Sequence, residues 1–205
     1  MGSLTSTQNA ILIGSLLGDG TLRRQNNRLN ALFEVNHSYK QKAYVDWKWQ
    51  HFQQYILSPP KSRLGKGPRI AYRFTTRSLP LFTAYHTQFY STGKKYVPSD
   101  LQLDPLSLAV WFMDDGARIR SAYYLNTQQF TISEQKFLKK LLLKTFGFES
   151  NLNRDKHYFR LRISTESSKK MKSLIEPHVV SCLKYKLAND PVTTESKDEI
   201  LVAKH

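Results

Sequence analysis

The sequence is 205 residues long, 40% hydrophobic and strongly basic, with a formal net charge of +15 at pH 7. This length suits one large domain or two small ones, and no apolar run reaches the ~18 residues of a membrane-spanning helix. The single cysteine, Cys182, excludes an internal disulfide. Residues 1–98 hold 14 basic and three acidic side chains. Such a surface suits nucleic acid, because neutralised phosphates release counterions; the alternative is a basic protein without such a partner.

An apolar run in residues 12–20 ends in one acid, Asp19, held between two glycines. A helix is predicted to begin near Ser6 or Thr7, where a hydroxyl side chain can cap it, and to continue to Leu17 or Gly18. Because the run is apolar on all sides, this helix should be buried. One of its faces carries small residues at intervals of four, which would let a second helix approach closely: Ala10, Gly14 and Gly18.

The rest of the first half alternates between strand and helix patterns. The predicted elements are strands over residues 21–25 and 28–37, a helix over 40–57, a hairpin with strands over 61–66 and 69–76, and a helix over 79–90. In the second strand of the hairpin, Ile70, Tyr72 and Phe74 are predicted to face the core. The aromatic stripe of the helix over 40–57, which includes Tyr44, is also predicted to pack in the core.

The second half repeats this order of elements. A matching apolar run, residues 108–116, ends in Asp114-Asp115-Gly116, and its helix is predicted to begin at Pro105 with Asp104 as N-cap. The predicted elements that follow are strands near Ile119 and over 123–131, a helix over 134–145 capped by Ser133 and ended by Gly147, strands over 148–153 and 157–164, and a helix from Thr165 or Ser167 to Glu176. Residues 69–78 parallel residues 158–167 in pattern.

The repeated order predicts an internal duplication rather than a short-period repeat. The fold class is therefore α+β, with two pseudo-symmetric αββαββα halves. The N-terminal half is assigned to residues 1–98 and the C-terminal half to residues 99–190. A polar tail, residues 191–205, follows.

The two acids that end the runs, Asp19 and Asp115, lie at unfavourable positions. A carboxylate at a helix C-terminus meets the negative end of the helix dipole, and two such charges brought together repel each other. A divalent cation would relieve both penalties, and carboxylates with backbone carbonyls suit Mg²⁺. The alternative is that each acid-glycine pair only ends a helix. Scattered histidines and one cysteine show no zinc-ligand spacing, and no Gly-rich phosphate loop is present.

The two runs resemble the motif that names the LAGLIDADG homing endonucleases, since Asp19-Gly20 and Asp115-Gly116 match its final Asp-Gly. Further segments resemble the single-chain, intron-encoded type: residues 42–44, 57–60, 94–98, 111–116, 125–128 and 185–187. The resemblance implies a saddle with the paired motif helices at its central seam and a sheet from each half in the DNA major groove. It also implies a monomer that cuts both strands of a long, asymmetric target and leaves short 3′ overhangs.

The resemblance further implies the roles of individual residues. The acids Asp19 and Asp115 would bind divalent metal, and Lys95 would act beside them on the water network. Lys186 is the second candidate lysine, with Lys184 as its rival. The predicted catalytic set is Asp19, Asp115, Lys95 and Lys186, and the predicted metal set is Asp19, Asp115, Gly18 and Asp114, with Mg²⁺ as cofactor and Mn²⁺ or Ca²⁺ as alternative occupants.

The second run departs from the motif because Val110 and Asp114 occupy positions where small residues are usual. Gly14 and Gly18 across the seam are predicted to make the room. The backbone carbonyl of Asp114, rather than its carboxylate, is the predicted metal contact.

The polar faces of the strands are predicted to contact double-stranded DNA, because Arg can read guanine, and Asn or Gln adenine, in the major groove. The nominated residues are Arg23, Asn30, Glu34, Asn36, Arg69, Arg73, Thr75, Asn126, Gln128, Arg160 and Arg162. Some of them would contact only phosphates.

Two other functions compete with the endonuclease prediction. One is an intron RNA maturase or a non-cleaving DNA-binding regulator on the same scaffold, and the other is a basic structural protein. No membrane partner is expected. An intracellular location is expected, either an organelle (mitochondrion or chloroplast) or a microbial cytoplasm.

Overall fold

A computed structural model describes residues 3–25, 28–65 and 70–188 of the chain. The polar tail and the nominated Arg69 lie outside the described residues. The first half contains α1 (Ser6–Leu17), β1 (Thr21–Arg24), β2 (Ala31–Ser38), α2 (Lys42–Phe52), β3 (Lys61–Leu64), β4 (Ile70–Thr75) and α3 (Pro80–Phe89). A small hairpin, β5 (Tyr90–Ser91) and β6 (Lys94–Lys95), then leads towards the second half.

The second half contains α4 (Pro105–Asp115), β7 (Gly116–Ile119), β8 (Ala122–Leu125), α5 (Ile132–Phe146), β9 (Ser150–Asp155), β10 (Tyr158–Ile163) and α6 (Thr165–Ile175), and ends in 3-10 turns at Glu176–His178 and Ser181–Leu187. Its four strands form an antiparallel sheet in the order β7-β8-β10-β9, and the first half has the equivalent order β1-β2-β4-β3. The shared order of elements and of strands confirms the predicted α+β duplication. The division at residues 98 and 99 stays a prediction.

The two halves meet along α1 and α4, both of which are buried on nearly all sides. A Cβ atom on Gly14 would overlap the carbonyl oxygen of Ser107 and lie only 2.7 Å from Cβ of Val110. A Cβ atom on Gly18 would overlap Cβ of Asp114. The two glycines therefore make room for the two larger residues of the second run, as the sequence predicted.

Several predicted element boundaries were wrong for identifiable reasons. The cap of α1 is Thr5, whose hydroxyl accepts from the Gln8 amide while the Gln8 side chain accepts from the Thr5 amide. The cap of α5 is Thr131 rather than Ser133, because Thr131 forms the same reciprocal box with Glu134. The strand predicted over 123–131 ends at Leu125, since the chain then turns into this cap.

The predicted helix over 40–57 is shorter in the structure. Its α-helical part is Lys42–Phe52, and 3-10 turns at Tyr39–Gln41 and Gln53–Tyr55 flank it. Of the three residues expected to face the core from β4, Tyr72 and Phe74 are buried but Ile70 is 43% exposed. Ile70 pairs with the exposed Leu64 at the outer end of the β3–β4 hairpin. This end of the hairpin extends beyond the core, so the Ile70 side chain is exposed although it lies on the same face of β4 as Tyr72 and Phe74. No helix among the described residues is long and apolar enough to cross a membrane.

Candidate active site

The two motif acids lie at neighbouring helix ends on the seam. Asp115 is the last residue of α4, and Asp19 follows α1 with its side chain 49% exposed. Burial, followed by the charges of Asp19 and Asp114, raises the pKa of Asp115 to about 7. Burial and the charge of Asp114 also raise the pKa of Asp19. The acids are thus close enough to repel each other in surroundings that disfavour their negative charge.

In each half, a lysine side chain is hydrogen-bonded to the main chain beside the motif acid of the same half. The Lys95 Nζ donates to the carbonyl oxygens of Gly18 and Gly20, at 3.0 and 2.9 Å, so it brackets Asp19. The Lys186 Nζ donates to the carbonyl oxygen of Met113 at 2.6 Å and lies 3.4 Å from that of Asp114. Burial lowers the pKa of Lys95 to about 8 and also lowers the pKa of Lys186.

Of the two rival lysines, the structure places Lys186 beside the acid of the second run. The side chain of Lys186 is partly buried, whereas that of Lys184 is exposed. The two bonded lysines, Lys95 and Lys186, therefore occupy corresponding places in the two halves. Each of them sets a positive charge next to the carbonyl end of a motif helix.

The Asp114 carboxylate points across the seam into the first half. Its Oδ1 accepts from the Tyr44 hydroxyl at 2.7 Å and from the Lys48 Nζ at 2.8 Å, and its Oδ2 lies 3.0 Å from the same nitrogen. The side chains of Lys48 and Asp114 are both 0% exposed, which makes this a fully buried ion pair. The carboxylate is thus engaged by α2, and only the backbone carbonyl of Asp114 remains beside the two acids.

Sequence reasoning missed three residues of this cluster: His37, Tyr44 and Lys48. The His37 Nδ1 lies 3.6 Å from Asp19 Oδ2, and its Nε2 lies 3.7 Å from Asp114 Oδ1. Burial lowers the pKa of His37 to about 4, so the imidazole is neutral at pH 7. One signal was available, because Lys48 lies one turn after Tyr44 on the buried face of α2. A lysine on such a face needs a buried acid as partner.

The donor groups at the seam fit a divalent cation. Two carboxylates whose pKa values are raised by burial and mutual repulsion, and the helix-end carbonyls of Gly18 and Asp114, supply the oxygen ligands that Mg²⁺ and Ca²⁺ prefer. Within the part of the chain that the structure describes, no three His, Cys, Asp or Glu side chains form a metal-binding group. Any ion held at the seam would have the carboxylates of Asp19 and Asp115, because Tyr44 and Lys48 engage that of Asp114.

The raised pKa of Asp115 predicts that its charge destabilises the metal-free fold at high pH. The pKa is about 7 in the folded protein and 3.8 ordinarily, so protonation favours folding. This stabilisation is complete below about pH 4 and is lost as the pH rises through 7. Asp115→Asn should therefore raise the metal-free unfolding midpoint at pH 8 by ~5 °C and leave it unchanged at pH 4. Thermal unfolding with a chelator measures this, and a lower midpoint at pH 8 would contradict it.

Polar side chains cover the outer face of the first sheet. Arg73 pairs with Asn36 on β2 and with Lys61 on β3, which gives a row of three polar residues across the sheet. Glu34 pairs with Thr75 and forms an ion pair with Arg23 at 2.6 Å. Asn30 lies before β2, and its amide oxygen accepts from the Thr83 hydroxyl of α3 at 3.2 Å, so it is engaged with a helix.

The second sheet carries a corresponding arrangement. Arg160 lies over the Tyr124 ring, 4.5 Å from its centroid, and its Nη1 lies 3.5 Å from Asn126 Oδ1. The Asn126 backbone amide donates to the Asp115 carbonyl at 3.0 Å, which places this residue beside the acid of the second run. Arg162 pairs with Tyr124 on β8 and with Asn151 on β9. Gln128 lies beyond β8 and donates to Asp155 Oδ2 at 2.9 Å.

The strand registers relate the two halves differently from the sequence pattern. Thr21, the second residue after Asp19, pairs with Glu34, which pairs in turn with Thr75. In the second half, Ala117, the second residue after Asp115, pairs with Tyr124, which pairs in turn with Arg162. Thr75 thus corresponds to Arg162, and Arg73 to Arg160. The pattern match of residues 69–78 with 158–167 was two residues out of register, because strand pairing and not hydrophobic alternation fixes the correspondence.

The sequence profile of the LAGLIDADG DNA endonuclease family matches residues 9–171. The probable intron-encoded endonuclease 1 of Wickerhamomyces canadensis is 28% identical over 90% of this chain and 85% of its own length. A structure of the homing endonuclease I-WcaI bound to its DNA recognition sequence is similar with a TM-score of 0.85 and 26% identity, over 93% of this chain and 90% of that chain.

Two further comparisons bear on fold and length. The homing endonuclease I-DmoI, in complex with its target DNA nicked in the coding strand and in the presence of 2 mM Mn, has a TM-score of 0.57 at 15% identity, covering 85% of this chain and 98% of that chain. The cytochrome b mRNA maturase bI2 of Debaryomyces hansenii is 31% identical over 57% of this chain, which spans 46% of the length of that relative. The duplicated saddle fold, the paired motif helices and the profile match together show that this chain belongs to the LAGLIDADG DNA endonuclease family.

Proposed function

We propose that the protein is a monomeric, site-specific homing endonuclease that hydrolyses both strands of a long, asymmetric DNA target with Mg²⁺ and leaves short 3′ overhangs. The observation that carries this proposal is the meeting of the two motif helices just before their acids: Gly18, which precedes Asp19, faces Asp114, which precedes Asp115. A lysine is hydrogen-bonded to the main chain beside each acid. Family membership and the similarity to I-WcaI, whose structure contains its DNA recognition sequence, support it. Both acids belong to one chain, so no second copy is required.

Each group at the seam has a chemical task in this proposal. Asp19 and Asp115, with the carbonyl oxygens of Gly18 and Asp114, would hold a divalent metal ion at the helix ends. A divalent ion held there would supply Lewis-acid chemistry, the activation of water and the stabilisation of negative charge on the phosphodiester. Lys95 and Lys186 keep the helix-end carbonyls in place and set positive charge beside the acids, where negative charge develops during hydrolysis.

The two sheets would engage the DNA through their outer faces. Arg73 with Asn36, and Arg160 with Asn126, occupy corresponding places in the two halves, and Arg and Asn are suited to guanine and adenine edges in the major groove. The two halves differ in the rest of these rows, where Lys61 in one half matches Asn153 in the other. This difference favours a target whose two half-sites are unlike.

Intron RNA is the second candidate partner, because relatives of this chain carry the name cytochrome b mRNA maturase. Both functions use the same scaffold, and the paired acids favour the nuclease. A selection on randomised DNA duplexes in the presence of Mg²⁺, scored for cutting, separates them. We expect one family of long, asymmetric duplexes to be cut on both strands. Binding to intron RNA with no duplex cut would contradict the nuclease and favour the maturase.

A further inference from the structure

The buried pair of Lys48 and Asp114 joins the two halves of the protein at the seam. Lys48 belongs to α2 of the first half, and its Nζ lies 2.8 and 3.0 Å from the two carboxylate oxygens of Asp114, at the end of α4 in the second half. The Tyr44 hydroxyl, also on α2, donates to the same carboxylate. Burying the charges of Lys48 and Asp114 is costly. Neither residue is one of the two acids, Asp19 and Asp115, that would act on DNA in the proposed function.

Asp114 immediately precedes the motif acid Asp115 in the chain. A contact that fixes the position of Asp114 therefore also restrains the position of Asp115. The backbone of this helix end is contacted from the second half itself, by Lys186 at the carbonyls of residues 113 and 114 and by the Asn126 backbone amide at the Asp115 carbonyl. The Asp114 side chain is held instead from the opposite half, by the charge of Lys48 and the hydroxyl of Tyr44. The space for it exists because the facing residue, Gly18, has no side chain.

The end of α1 is also held from the opposite half, but by a neutral group. The Gln129 side-chain amide donates to the Leu17 carbonyl at 3.2 Å. Each motif helix is thus held at its acid end by a long-range contact across the seam. At α4 the contact is a buried ion pair acting on the side chain, and at α1 it is a single hydrogen bond to the backbone.

We propose that Lys48 is a positioning residue for DNA cleavage: acting through the Asp114 carboxylate, it holds Asp115 at the seam from the opposite half of the protein. The inference rests on the proposed nuclease function. It assigns the Asp114 carboxylate to this contact and leaves its backbone carbonyl for metal. It also accounts for an aspartate at a motif position where the first run has the glycine Gly18.

The test compares the native protein with Lys48→Met and with the double variant Lys48→Met/Asp114→Leu. The single variant leaves an unpaired buried carboxylate and should be less stable, whereas the double variant removes both charges and keeps similar side-chain volumes. We expect the double variant to unfold near the native midpoint and to bind target duplex in EDTA within threefold of the native affinity. Its single-turnover cleavage rate at saturating Mg²⁺ should fall at least tenfold.

Lys48→Met should show the same loss of cleavage at temperatures where it is fully folded. Leu142→Ala is the matched control, because it truncates a fully buried side chain of α5, a helix that supplies none of the side chains described at the acids. It should be destabilised yet cleave at the native rate below its unfolding midpoint. This comparison keeps the inference testable if the double variant folds poorly.

Two results would overturn the assignment of Lys48. A folded Lys48→Met or double variant that cuts at the native rate would show that the pair only stabilises the fold. A double variant whose rate recovers fully when Mg²⁺ is raised would assign the Asp114 carboxylate to metal directly. If the native protein itself cuts no duplex, the result contradicts the proposed function, which the same assay reports separately.

Discussion

Asp19→Asn should abolish DNA cleavage and leave folding and target binding largely intact. The amide has the shape of the acid but lacks the charge that would hold a divalent cation at the seam. Loss of one such electrostatic group should lower the single-turnover rate by ~10³-fold or more. The fold should tolerate the change because the Asp19 side chain is 49% exposed, and because the His37 imidazole, 3.6 Å away, is neutral at pH 7 and forms no ion pair with it.

The measurements for this variant are the cleavage rate, the unfolding midpoint and the duplex affinity in EDTA. Asp100→Asn is the matched control, since it makes the same chemical change at an exposed acid bonded to Gln88, and it should cut at the native rate. Unfolding of Asp19→Asn would show that the acid has a structural role, and native-rate cleavage would remove it from the active site.

Gly14→Leu should prevent the two halves from packing and unfold much of the protein. Its Cβ alone would overlap the Ser107 carbonyl oxygen, which is a backbone atom of the facing helix and cannot rotate away. Relief requires α1 and α4 to separate along the seam where both are buried. We expect destabilisation beyond the ~3 kcal/mol at the upper end of ordinary overpacking, and therefore a fall of ~10 °C or more in the unfolding midpoint.

Gly147→Leu is the control for adding the same side chain in open space. Gly147 ends α5 with φ +69°, and a Cβ atom there would meet no atom within 4 Å. Its cost should be limited to the ~1–2 kcal/mol of the left-handed backbone conformation. Equal midpoints for the two variants would contradict the close approach of the helices at Gly14.

The sequence predicted the seam because its signals are local. Small residues spaced four apart and a run that is apolar on all sides are properties of one helix, and the second run repeated the signal. The complementarity of Gly14 with Val110, and of Gly18 with Asp114, followed from comparing the two runs position by position. The place of Lys95 beside the first acid came instead from the family resemblance.

The buried cluster could not be predicted in the same way because its contacts are long-range. Lys48 meets Asp114 across 66 positions of sequence, and nothing in the pattern of α2 says which acid its lysine approaches. The correspondence of Arg73 in the first half with Arg160 in the second half was missed for a related reason. Hydrophobic alternation repeats every two residues, so it cannot distinguish a register from one shifted by two.

In the proposed function, the two acids at the seam, Asp19 and Asp115, carry the cleavage of DNA. The most direct test incubates the native protein with its selected target and Mg²⁺ and maps the ends produced on each strand. Cleavage of both strands, with short 3′ overhangs and only when divalent cation is present, is the predicted result. A duplex that is bound specifically but stays intact on both strands at saturating Mg²⁺ would contradict it.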